Sequence, residues 1–141
     1  MKKHIKGKVF FISILLTLSV SGISQNIIIS EKDTIASIDS LGNIKDMMGQ
    51  QIGEITVGGD VKNLRGEVIG HIQGDEFKDL SGRLLGTKKT MTSEVQIIMP
   101  GNIVFATLKS GNKIVGNDGQ VIMSSSGSID EKYLLAYFFY F

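Results

Sequence analysis

The chain has no Cys and no Trp, a single Pro among 141 residues, and two His, one of which is His4. Without Cys there is no disulfide framework and no thiolate metal site, so any folded domain here is held together by burial alone. A lone Pro, Pro100, and the lack of any low-complexity tract exclude a proline-rich linker or a disordered tail. Acidic residues are missing from the start of the chain: Lys2, Lys3, Lys6 and Lys8 all precede Glu31, the first carboxylate. The formal charge of +1 hides this asymmetry, because the rest carries eleven basic against fourteen acidic side chains, a body of about −3. Such a body lacks the concentrated positive field that a phosphate backbone requires, which argues against nucleic acid as a partner. What the chain has in quantity is Gly, 17 residues, against 42% hydrophobic content. That balance describes one small globular domain with many tight turns.

Residues 1–24 read as an export signal. A basic stretch, MKKHIKGK, leads into an apolar run from Val9 to Val20, followed by the small residues Gly22 and Ser24 at the spacing of a cleavage site. We expect cleavage between Ser24 and Gln25 and an extracytoplasmic mature protein, whether periplasmic, outer-membrane associated or secreted. An uncleaved anchor is the alternative, but about 12 residues fall short of the roughly 20 that span a bilayer as a helix.

The mature part repeats a phrase. GNIKDMMGQQIGEI from Gly42 to Ile55 returns as GDVKNLRGEVIGHI from Gly59 to Ile72 and as GDEFKDLSGRLLGTK from Gly74 to Lys88, a period of 16 to 17 residues. Asp46–Gly49, Asn63–Gly66 and Asp79–Gly82 spell [DN]-x-x-G in the middle of each copy. The first residue hydrogen-bonds forward to the backbone, and the terminal Gly accepts the left-handed conformation that closes a type I turn with a bulge. Each copy is therefore expected to be one β-hairpin. Gly111 to Met123 is a blurred copy with its turn at Gly119, and the segment from Ser93 to Leu108 is a hairpin of another kind, with Pro100 and Gly101 central in a type II turn. Five hairpins result, at about 42–57, 58–73, 74–89, 92–108 and 109–125. The segment before them, with a turn at Asp39–Gly42, supplies a strand or two to close the ring.

A second glycine column, Gly53, Gly70 and Gly86, falls inside the strands. Gly there marks either a close approach of another group or a bulge, and both readings stand. The chain ends in SIDEKYLLAYFFYF, where Ser128 and Glu131 have capping-box spacing and Asp130 suits the first turn of a helix over about 129–140. From Tyr133 to Phe141 no polar face remains for water. A helix of about 18 Å crosses a small ring and not a membrane, so a core plug is expected ahead of a membrane tail. A terminal strand is the other alternative, since Tyr and Phe also favour strands.

The signal ending before Gln25, the Gly-x-x-[DN]-x-x-G-x-x-I-G phrases and the terminal LLAYFFYF resemble the five-fold β-flower proteins of Bacteroidetes, over essentially the whole mature chain. The resemblance implies a mostly β fold: a shallow pseudo-symmetric barrel of five or so β-hairpin repeats, with a C-terminal hydrophobic helix packed in the centre. It also implies a shape likened to Tubby-like domains, which are associated with membrane lipids, and it brings no catalytic residues to carry over. The chain departs from the pattern in lacking a lipobox Cys and in the hairpin around Pro100.

Little chemistry can be assembled from the side chains. His71 has Glu54 and Thr87 as its counterparts in the sister copies and reads as an ordinary outward strand position. Asp60, Asp75, Glu76 and Asp79 lack the spaced oxygens of a calcium loop. The serines of Ser124 to Ser128 have no elbow or base, and that stretch reads as the linker into the helix. Gly86 to Thr90, GTKKT, lacks the setting of a phosphate loop and reads as solvated loop. We therefore expect no enzyme, no catalytic residue, no metal and no cofactor. The expected role is a non-catalytic envelope module that binds an envelope protein, a glycan or membrane lipid, or is structural. The alternative is a carrier or sensor of hydrophobic molecules, which requires a cavity beside the helix.

Overall fold

The computed structural model describes residues 24–29, 33–110, 112–126 and 130–141. Among them are β1 (Ser24–Ile29), β2 (Asp33–Asp39), β3 (Asn43–Asp46), β4 (Gln51–Ile55), β5 (Asp60–Asn63) and β6 (Val68–Gln73). They continue with β7 (Glu76–Asp79), β8 (Leu84–Thr90), β9 (Val95–Met99), β10 (Ile103–Lys109), β11 (Lys113–Gly116) and β12 (Val121–Ser125), and end with α1 (Glu131–Tyr140). Strands β2 to β12 pair antiparallel in chain order. β1 hydrogen-bonds to β2 on one side and β12 on the other, so the strand order returns to its start. The expected export segment lies outside the described residues except for Ser24, where β1 begins.

The [DN]-x-x-G turns form as their chemistry dictates. The Asp46 carboxylate accepts the amides of Met48 and Gln50, both at 2.9 Å, while the Gly49 amide closes onto the Asp46 carbonyl at 3.1 Å with φ at 80°. Asn63 and Asp79 repeat the arrangement for their own turns. The turns between copies, such as Asp39–Gly42 and Thr56–Gly59, lie on the opposite rim, and there the Thr56 hydroxyl does the work of an Asp by accepting the Asp60 amide.

Every hairpin carries the same defect just past its turn. Ile44 pairs with Gly53 and Lys45 with Gln51, which leaves Ile52 as an extra residue. Ile69, Leu85, Phe105 and Ile122 are the corresponding extra residues of the later hairpins, and Ile35 is that of β1–β2. A bulge of this kind bends the strand and increases its twist, which a narrow ring of short strands needs. The structure thus has six bulged strand pairs, with β1–β2 standing beside the five expected hairpins.

Inward positions of neighbouring pairs meet across the wall. Ile38 faces Ile44, Ile55 faces Val61, Ile72 faces Phe77 and Leu108 faces Ile114. The remaining junctions set Lys88 against Ile97 and Ser125 against Ile27. All of the apolar members of this band are buried.

Three expectations need correction. Gly86 to Thr90 is not loop but the body of β8, paired through Thr90 with Val95 of β9; a lysine fits in such a strand by running its aliphatic stem along the wall. Ser124 and Ser125 are not linker but the buried end of β12, held there by pairing with both β11 and β1. α1 starts at Glu131 rather than near 129, because Asp130 is itself the cap and accepts the Lys132 amide at 2.9 Å; Ser128 lies outside the described residues. At the Pro100 turn, Gly101 has φ at 92° as a type II turn requires, and Asn102 follows at 61°.

Candidate functional site

The centre of the ring is taken by α1. Leu134, Leu135 and Ala136 are fully buried and Tyr137 nearly so. The last four residues each address a different hairpin. Phe138 packs on Phe105 with ring centroids 5.9 Å apart, and Phe139 lies over Gly86 and stacks on Phe77 at 4.7 Å. Tyr140 lies over Gly70, and Phe141 over Gly53, where a methyl would come within 2.5 Å of the ring. Successive helical residues turn by 100°, so consecutive aromatic side chains are carried round to consecutive hairpins. The two readings of the glycine column are therefore true together: a bulge precedes each glycine and an aromatic ring covers it.

Sequence reasoning missed the full extent of that column. Ala36 and Ala106 occupy the equivalent place in their strand pairs, and Met123 the sixth, all by the same pairing rule. The signal was a bulky residue followed by a small one: Ile52-Gly53, Ile69-Gly70 and Leu85-Gly86 recur as Ile35-Ala36 and Phe105-Ala106.

Polar groups near the plug are few, and two of them, Ser125 Oγ and Glu131 Oε2, are buried without a hydrogen-bond partner among the described residues. The Tyr140 hydroxyl donates to the Lys78 carbonyl at 2.7 Å, with the His71 carbonyl at 3.2 Å. Burial, together with the nearby Asp79 carboxylate, pushes this phenol up to about 12. Burial also raises Tyr137. At the other end of α1, Lys88 reaches toward Glu131 at 3.8 Å.

The residues weighed for metal or catalytic chemistry are not brought together. His71 Nδ1 lies 2.7 Å from Asp60 Oδ1 on the outer face of two paired strands, with both side chains exposed by more than a third. Glu76 pairs with Lys78, while the Asp79 carboxylate is held below its usual range by the Ser81 hydroxyl first and then by the Arg83 amide. No group of three or more His, Asp or Glu able to hold a metal ion occurs among the described residues. No helix among them is long and apolar enough to cross a membrane.

Open space occurs at the periphery. One groove of about 460 Å³ separates the tips of β5–β6 and β7–β8, lined by Asn63, Val68, Ile69 and Leu80. Another of about 400 Å³ lies between β9–β10 and β11–β12, beside Phe105 and Ile122. A third of about 430 Å³ opens at the start of α1, between Thr90–Val95 and Asp130.

These features define a class: an antiparallel β-repeat protein built from bulged strand pairs around its own C-terminal helix. The family described as 5-fold beta-flower protein matches residues 19–141, and the chain belongs to that family. No match is found among curated proteins or among solved structures.

Proposed function

We propose that the protein is a non-catalytic module of the cell envelope, exported by cleavage after Ser24, with a binding or structural role exercised through its rims. In this reading the sheet is a shallow pseudo-symmetric barrel of the shape likened to Tubby-like domains, as in β-flower proteins of Bacteroidetes. The observation that carries the proposal is the occupied centre: four buried residues of α1 fill the space that a ligand would need. A carrier of hydrophobic molecules would have to expel α1 first, and with it the aromatic contacts to four hairpins. What stays available is the rims, where loops held by a rigid scaffold present side chains outward. Protein isolated from the envelope fraction should begin at Gln25 by N-terminal sequencing. In native mass spectrometry it should carry no stoichiometric lipid. A protein that begins at Met1 refutes the export step, and a retained interior lipid refutes the filled-centre reading.

A further inference from the structure

The bond cut in the export reading lies inside a strand. β1 begins at Ser24, and its register sets Ser24 against Asp39, Gln25 against Ile38 and Asn26 against Ser37 of β2. At about 3.3 Å per residue, the bond between Ser24 and Gln25 lies within about 10 Å of Ile27. Ile27 is fully buried and paired on both sides, with Ala36 of β2 and with Ser125 of β12. The cleavage site is thus tied to the residue with which β1 begins to join β2 to β12.

We propose that β1 docking and leader removal exclude each other, so that the signal peptidase acts before β1 joins the sheet, and the completed sheet protects any leader still attached. The proposal rests on the export reading above and adds the order of its steps. Hydrolysis breaks the bond between the Ser24 carbonyl carbon and the Gln25 nitrogen; water gives its hydroxyl to the carbon and a proton to the nitrogen. The developing oxyanion needs donors along the direction of the carbonyl. In a strand those in-plane directions face the neighbouring chain, and at Ser24 and Gln25 β2 already occupies one edge. From Ile27 to Ile29 both edges are taken. A peptidase that holds its substrate as an extended strand therefore competes with the protein's own sheet.

The rest of the sheet does not wait for β1. Strands β2 to β12 pair in chain order, and β1 only links the two ends of that series. A chain still held at its leader can assemble β2 to β12 with two free edges, a state prone to pair with other chains. Release of Gln25 lets β1 fill both edges at once. Once β1 is docked, cleavage runs only through the fraction of molecules in which it has opened again. Re-exposing Ile27 alone holds that fraction to the order of one in a hundred.

The test times removal of the leader from the full chain by a purified type I signal peptidase in detergent, with mass spectrometry to place the cut. Precursor folded beforehand should be processed on the order of a hundredfold more slowly than precursor diluted from urea at the moment of mixing. A second substrate carries about ten Gly and Ser residues inserted between Asn26 and Ile27, which move the bond away from the wall and leave Ile27 free to dock. It should keep a cooperative melt and yet be cut at the rate of the unfolded chain. Folded precursor cut within about threefold of the unfolded rate overturns the proposal, as does a folded insertion variant that stays as slow as the wild type. Unfolded precursor that is not cut after Ser24 refutes the export reading itself, and the proposal with it.

Discussion

Gly70→Ala tests whether the aromatic plug is seated against the glycine column. A methyl at this position would overlap the Tyr140 ring and stand 2.5 Å from the Lys78 carbonyl oxygen, where ordinary contacts begin about 1 Å farther out. The obstruction on one side is backbone of a paired strand, so the ring must give way. A shift of about 1 Å stretches the 2.7 Å hydrogen bond from Tyr140 to Lys78 beyond useful length. Overpacking costs about 1–3 kcal/mol and the lost hydrogen bond about 0.5–1.5 kcal/mol. The stiffer unfolded chain returns about 0.4–1 kcal/mol. The net loss is centred on about 2 kcal/mol within limits of about 0.5–4 kcal/mol, a large share of the 5–15 kcal/mol typical of a small domain. Urea titration followed by circular dichroism reads it directly. Gly58→Ala is the control, because only the Thr56 hydroxyl approaches within 4.0 Å there and φ is not left-handed; it should be neutral or slightly stabilising. In a Tyr140→Ala background the cost of Gly70→Ala should fall by about 1 kcal/mol or more, as coupled neighbours require. A loss under about 0.5 kcal/mol, or costs that simply add, would refute the seating of the ring.

Deleting residues 133–141 should abolish cooperative thermal unfolding, since each lost aromatic side chain buries about 150–250 Å²; a truncated protein that melts as the intact one does rules the plug out. Gly49→Val, Gly66→Val and Gly82→Val should each cost about 1 kcal/mol or more in the same urea assay, because their φ values of 80°, 79° and 90° exclude β-branched residues. Stability should also fall in alkali. Tyr140 keeps its proton in the folded state up to about 12, while the unfolded chain releases it near 10. The folded state therefore holds more protons between those values, and stability declines as pH rises through them. Tyr140→Phe should flatten that decline in pH-dependent urea melts, and an unaltered slope would show that the phenol is not buried as described.

The turns were legible because their signal is local: Asp39, Asp46, Asn63 and Asp79 each act within four residues, and sequence spacing alone specifies them. The hairpins and the terminal helix followed from the same short-range logic. What escaped were consequences of strands meeting at long range. Ser124 and Ser125 read as linker because nothing beside them in sequence announces that β1 will pair there. Lys88 and Lys89 read as loop because their charge outweighs, locally, a pairing that depends on β9. The glycine column was visible, but which ring covers which glycine was not, because that depends on how far α1 is rotated about its axis.

That rotation is itself a problem a repeated wall creates, and the departures from repetition solve it. Six equivalent strand pairs around one helix would offer several nearly equal settings, and a plug that fits many ways specifies none. The wall column reads Ala36, Gly53, Gly70, Gly86, Ala106, Met123, so room for a ring exists on three consecutive pairs and closes on the far side at Met123. Phe139, Tyr140 and Phe141 fit that gap in one setting only, in the order Gly86, Gly70, Gly53. Lys88 breaks the apolar band at one junction, and Glu131 at the start of α1 is the group that meets it. One end of the helix is thus set by volume and the other by charge. Lys88→Leu should consequently leave the wall well packed while weakening the choice among settings. The reading is refuted if side-chain NMR of that variant keeps a single, equally sharp set of signals for the terminal aromatic residues.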